Sequence, residues 1–386
     1  MFNEKFDKRA NIQISLSWLF MIIIGTFFLY IAYNIIGTYS ENEETKYYIE
    51  VKSALSNVLL KAGKSTGYEE NYIQPLDTFF KDSRVEIICN NGLPLLSINE
   101  KIDDNVDFLK NIPTFMTVIE EGDVSFTYLA VENFRTPFKV TNMMAIISKK
   151  NLIVFDSNSE ITKLLSKKFS DSAYRNSLSL SQLDFSSVSS SSYNDLIREK
   201  DIQSIMFVSD YDSSTLGLML DELNVDSYHL QFIGDSDEFM SGKLIYTDRY
   251  DEKFEYDFID YREQVFDSKP LSMPTMAVFS NPTTFECGQN LVIESTQSIF
   301  EFYENKVEYL ISVSEFTQVC SNDVWSNVGN GVYQVEKYEE LRDEIVNGKE
   351  YIMNNKFNNS KNLYIIIEKI QELSQGLSDD SCEMIY

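Results

Sequence analysis

The chain has 386 residues, 43% of them hydrophobic, with 27 Phe and 23 Tyr. That supply of apolar side chains builds a sizeable core and excludes a disordered chain. A formal charge of −27 at pH 7 repels phosphate backbones and anionic headgroups, which excludes nucleic acid as a partner.

In chain order, the first feature is a run without charge. Residues 1–13 form a short leader that carries Lys5, Lys8 and Arg9. From Ala10 to Ser40 there is no Asp, Glu, Lys or Arg. Within it Ile14 to Gly37 is 24 residues, roughly 36 Å as a helix against a hydrocarbon core of about 30 Å. The run predicts a single transmembrane helix over 14–37. It exceeds the roughly 7–15 apolar residues of a cleaved secretory leader, and no small-x-small site follows it. Phe20, Met21, Ile22, Ile23, Ile24, Phe27, Phe28, Leu29 and Ile31 would cover all sides of that helix, unlike the stripe of a buried amphipathic one. Trp18, Tyr30, Tyr33 and Tyr39 stand toward its ends, where amphipathic rings favour the interface. Basic residues before the run, and Glu41, Glu43 and Glu44 after it, predict a cytoplasmic amino terminus and a body outside. The expected location is the plasma membrane, single-pass, with the bilayer as a partner.

The residues Lys8-Arg9-Ala10, followed by Asn11-Ile12-Gln13-Ile14-Ser15-Leu16, carry a resemblance. They resemble an archaeal class III, type IV prepilin-like signal and the start of archaeal single-pass membrane proteins. The likeness covers about residues 8–37. It implies peptidase cleavage between Ala10 and Asn11, and packing of the apolar segment with other filament subunits. The Glu usual at the fifth mature position of that family is Ser15 here. An uncleaved signal anchor stands beside this reading.

Residues 40–66 predict a stalk helix, with Tyr48, Val51, Leu55, Val58 and Ala62 at helical spacing and Gly63 and Gly67 at its end. A helix lying on the body is the alternative. Residues 70–169 then read as a first α/β part. Arg84–Cys89 is a strand closed by the turn signal Asn90-Asn91-Gly92, and 125–131, 143–147 and 151–155 are further strands. Asp156 or Ser157 caps a helix from Glu160 to Phe169. Residues 170–200 form a Ser-rich linker or insertion.

Residues 201–386 form a second α/β part with carboxyl-terminal helices. Strands are expected at 204–208, 228–233 and 276–279, a helix at 215–223, and a hairpin from 243–247 and 254–259. Pro282 opens a helix, followed by helices over 291–309, 333–347 and 362–374. The last carries Leu363, Ile366, Ile367, Ile370 and Leu373 on one face. The expected fold is an α/β ectodomain, a mixed sheet with flanking helices, on a single amino-terminal transmembrane helix.

His229 is the single histidine, which excludes a multi-histidine metal site. No G-x-S-x-G accompanies it, and it reads as a polar position on a half-buried strand. The segment Ile205–Leu216 sends an apolar strand into Asp210, Asp212 and a hydroxyl run. It resembles the first motif of haloacid-dehalogenase-type phosphotransferases, with Asp235 and Asp237 resembling their late Mg²⁺ carboxylates. That resemblance implies Asp210 as nucleophile and Asp212 as acid/base. Here an extra Ser interrupts D-x-D-x-T, and the late motif follows after only about 25 residues. The other readings are strand-end capping by Asp and Ser, and a Ca²⁺ site from Asp210, Asp212, Asp235 and Asp237.

All four cysteines follow the uncharged run, and none forms C-x-x-C. An oxidising location predicts disulfides, with Cys287–Cys320 as the expected pair and Cys89–Cys382 by elimination. Buried thiols would accompany the opposite topology. Asn358-Asn359-Ser360 is a glycosylation sequon. The expected function is a membrane-anchored cell-surface protein that binds or assembles and does not catalyse, without a cofactor unless Ca²⁺. A minor pilin-like subunit is one alternative. An ectoenzyme or Ca²⁺-dependent adhesin built on Asp210 and Asp212 is another.

Overall fold

The computed structural model describes residues 29–30, 46–57, 72–75, 84–116, 127–170, 179–183, 202–210, 225–261, 272–314, 330–355 and 360–379, apart from a few positions inside those ranges. Residues 1–55 and 56–386 form two units. In the first, residues 48–55 are helical, and Val51 and Leu55 are buried one turn apart. Leu29 and Tyr30 are helical and exposed, and the rest of 14–37 lies outside the described residues, as does the prepilin-like motif.

The described residues of the second unit form three sheets. Strands β2 (Val85–Asn90), β3 (Leu93–Ile98) and β4 (Lys101–Asp103) form an antiparallel meander. Its first turn carries Gly92 at φ +79°, where a glycine pays no Cβ penalty. Its second carries Asn99 at φ +50°, a region asparagine tolerates. Asn99 accepts from the Arg84 amide at 2.8 Å and donates its own amide to the Arg84 carbonyl at 2.9 Å, which locks the register. A second sheet has the order β1-β6-β7-β5, from Tyr72–Pro75, Thr127–Thr136, Phe138–Ser148 and Thr114–Met116.

The third sheet has six strands in the order β13-β12-β11-β10-β8-β9. Strands β8 (Asn151–Asp156), β9 (Ser179–Leu183), β10 (Ser204–Ser209) and β11 (Asp226–Asp235) are parallel. Strands β12 (Phe239–Thr247) and β13 (Lys253–Tyr261) add an antiparallel hairpin, the expected one. Every described residue of β8 from Leu152 onward, and all of β10, is buried. That is the signature of parallel strands covered on both faces, and it explains their unbroken apolar runs.

Helix α1 (Glu160–Ser170) follows β8. Ser159 caps it, accepting from the Thr162 amide, so the cap lies two or three residues beyond the expected Asp156 or Ser157. Phe169 on α1 stacks at 5.9 Å from Phe155 and at 5.1 Å from Phe279, which ties the helix to the six-stranded sheet. Lys168 on the same helix pairs at 2.9 Å with Glu132 of β6, a carboxylate only 3% exposed. Helices α2 (Ser272–Val278), α3 (Pro282–Ser314), α4 (Asn330–Asn355) and α5 (Ser360–Asp379) complete the unit. One core joins residues of β5 to β8, β10 to β12 and the five described helices.

Several expectations need correction. Residues 276–279 are not a strand: α2 covers Ser272–Val278 and every residue in it is buried. A short, wholly apolar run has no period that separates strand from helix, and full burial removes the polar face that would have marked one. Within the expected Ser-rich linker, β9 joins the six-stranded sheet as its edge. Strands β8 and β10, from the two expected parts, are neighbours in that sheet. The expected helix over 215–223 lies outside the described residues.

The fold class is also corrected. Among the described residues no helix is long and apolar enough to cross a membrane. The long ones, α3, α4 and α5, expose Glu301, Glu308, Glu339, Asp343 and Glu372 along one side. The body is α/β with mixed sheets and a layer of amphipathic helices, and the transmembrane helix is not among its described elements.

The cysteine pairing differs from the expected Cys287–Cys320 and Cys89–Cys382. Cys89 of β2 is bonded to Cys287 of α3, with Cα atoms 5.6 Å apart and 198 residues between them in sequence. The start of α3 explains why. Asn281 caps it through the Thr284 amide at 2.8 Å, with Pro282 at the first helical position. Thr284 and the Asn281 amide both donate to the Met116 carbonyl at the end of β5. Those bonds pin the first turns of α3 to the sheet region beside β2, where Cys287 meets Cys89. Cys320 and Cys382 lie outside the described residues.

Candidate functional site

In open sheets with parallel strands, ligands settle beyond the carboxyl ends of the strands, where the direction of chain winding reverses. That reversal falls between β8 and β10. From β8 the chain passes through α1 to β9 on one side, whereas β10 lies against the other side of β8 and leads on to β11. Two strands of similar sequence end there: Asn151-Leu152-Ile153-Val154-Phe155-Asp156 and Ser204-Ile205-Met206-Phe207-Val208-Ser209, the second followed by Asp210.

Register and alternation place the polar groups. Phe155 pairs with Val208, so Asp156 falls opposite Ser209 one step further on. Phe207 pairs with His229 on β11. Asp156, Ser209 and His229 therefore share one face of the sheet. The other face carries Ile153, Phe155, Met206, Val208 and Leu230 into the main core.

Asp156 is 1% exposed. Its Oδ1 accepts weakly from the Asn158 amide at 3.3 Å. Its carbonyl takes the Thr162 hydroxyl at 2.5 Å, which folds the chain from β8 into α1. Its Oδ2 is buried and has no hydrogen-bond partner among the described residues. Ser209 and His229 are both fully buried and share a hydrogen bond of 2.9 Å between Oγ and Nε2. His229 is thus more deeply placed than a half-buried strand position. Phe207 on β10 and Ile245 on β12 flank it in register. Asp210, where the chain leaves β10, is exposed.

Of the four expected carboxylates, the two that are described, Asp210 and Asp235, stand apart. Asp210 would stand in register with Phe232, and Asp235 ends β11 three residues later, about 10 Å along the strand. Asp212 and Asp237 lie outside the described residues. Among the described residues no group of three or more His, Cys, Asp or Glu side chains is arranged to hold a metal ion. The sequence reading saw Asp156 only as a helix cap and did not join Ser209 to His229. The available signal was the repeated pattern of an apolar strand delivering an aspartate at its end, present in β8 as well as β10. No family model matches the chain, and no curated protein or solved structure matches it.

Proposed function

We propose that this chain is a cell-surface protein that binds or assembles and does not catalyse. Its acidic α/β body faces the oxidising side of the membrane. The observation that carries the reading is the Cys89–Cys287 disulfide, which joins the β2–β4 meander to the longest described helix. Such bonds persist in secreted and surface proteins and are rare in reducing cytosol. Closing a loop of 198 residues is worth about 5 kcal/mol in the chain-entropy picture, a gain the body has only where the bond survives. The sequence agrees: basic residues precede the uncharged run, acidic ones follow it, and all four cysteines lie after it.

The preference for binding over catalysis rests on the Ser209–His229 pair. Among the described residues it comes nearest to a nucleophile with its base, and both members are sealed from solvent. A hydroxyl that no substrate reaches serves the sheet, bonding Nε2 of the imidazole inside it.

The test uses the full chain carrying Cys320→Ser and Cys382→Ser, so that Cys89 and Cys287 alone report. Intact cells are treated with a membrane-impermeant maleimide, with and without reductant. Labelling of intact cells that requires reductant is the expected result. Labelling that needs lysis and no reductant would place the body in the cytosol and overturn the reading.

A further inference from the structure

We infer that the gap between the carboxyl ends of β8 and β10 is a site for one hard divalent cation, held by Asp156 and Asp210. Three independent features meet there. The first is topological: this is the point of winding reversal in the parallel part of the sheet, the place such sheets leave open for ligands. The second is an unsatisfied group. Asp156 is 1% exposed, and its Oδ2 lacks a partner among the described residues. A buried carboxylate oxygen without a donor is costly, and native structures fill such positions with a donor, a water or an ion. The third is Asp210, a second carboxylate one residue past the end of the neighbouring strand β10, and exposed.

Other uses of these groups are already accounted for. Ser159, not Asp156, caps α1, and Thr162 takes up the Asp156 carbonyl. Ser209, next in register to Asp156, has its hydroxyl engaged with His229. Of the lysines on α1, Lys163 and Lys167 are exposed and Lys168 is paired with Glu132. An anion is disfavoured by two carboxylates, even beside a helix start. Two carboxylates on adjacent strand ends, with the remaining positions left to water, match the way small hard cations of the Mg²⁺ class are bound. The site differs from the expected cluster of Asp210, Asp212, Asp235 and Asp237, since it reaches across to β8 and not along β11. It holds on either side of a membrane and does not rest on the location proposed above.

The experiment is Mn²⁺ binding to the purified full chain, read by loss of the free-ion electron paramagnetic resonance signal, with Mg²⁺ and Ca²⁺ as competitors. One saturable site that Mg²⁺ displaces is expected. Asp156→Asn and Asp210→Asn should each weaken it at least tenfold, and Mg²⁺ should raise the unfolding temperature of the unaltered chain but not of either variant. Asp210 is exposed, so its variant folds and carries the test even where Asp156→Asn does not. No saturable site, or equal Mn²⁺ binding in Asp210→Asn, would overturn the inference. The latter result would assign the bound ions to the acidic surface at large.

Discussion

At the scale of single residues, the body is packed without slack at two glycines. A Cβ on Gly288 would lie 2.5 Å from two ring atoms of Phe115, itself fully buried and 6.0 Å from Phe285. On Gly348 of α4 it would lie 2.4 Å from the Phe300 ring of α3. Neither ring has room to retreat, because both belong to the common core. Gly288→Ala and Gly348→Ala are each expected to cost about 1–3 kcal/mol, visible as a lower urea midpoint at unchanged slope. Wild-type midpoints in both variants would mean that α3 stands further from its neighbours than described. Gly288 also adjoins Cys287, so the same close approach that forbids a methyl group brings the sulfur to β2.

Single residues also show what a sequence can disclose. Asp156 and Asp210 are legible as strand-end aspartates, because each ends a run of apolar residues. Their adjacency is not legible, since it depends on β10 pairing with β8 and not with β9. The Ser209–His229 bond is hidden for the same reason: it joins strands whose register no local pattern gives.

At the scale of elements, α3, α4 and α5 are held together by cross-helix ion pairs as well as by apolar packing. Lys349 on α4 bonds Glu304 on α3, and Lys369 on α5 bonds Glu344 on α4 at 2.6 Å and pairs with Glu340 at 3.4 Å. The hydrogen bonds to Glu304 and Glu344 hold the two ammonium groups above the ordinary lysine value. Burial does the same for the Tyr351 phenol, by disfavouring its charged form. In each case the folded state holds the proton more tightly than the unfolded chain does. The stabilisation is therefore complete below the unfolded values, about 10 for tyrosine and lysine, and is lost as pH rises through the higher folded ones. Circular dichroism over rising pH should show helix content falling above about pH 10.5, near the lysine reference value. Lys349→Met with Lys369→Met should show a shallower alkaline loss. An unchanged alkaline slope in the double variant would remove these pairs from the helix packing.

Elements were the most legible level. The spans of α1 and α5, the β2–β3 turn and the β12–β13 hairpin follow from local chemistry, and the structure has them. Where the local signal was ambiguous, tertiary burial decided. Met276–Phe279 carries no polar residue to betray its period, and it is helix and turn. Residues 179–183 read Ser-Leu-Ser-Gln-Leu, a pattern too short and too polar to stand out as a strand among the surrounding serines.

At the scale of the whole molecule, one bond sets the account of where this protein works. The location proposed above rests on the Cys89–Cys287 bond of the folded body. Its pairing was beyond the sequence, because 198 residues separate the partners and only the docking of α3 at the end of β5 brings them together. The most direct measurement is peptide mapping of the protein from its own cells, alkylated before lysis and digested without reductant. The expected result is one cross-linked species joining the Cys89 and Cys287 peptides, absent after reduction. Recovery of both cysteines as alkylated free thiols, or of either joined to Cys320 or Cys382, would contradict it.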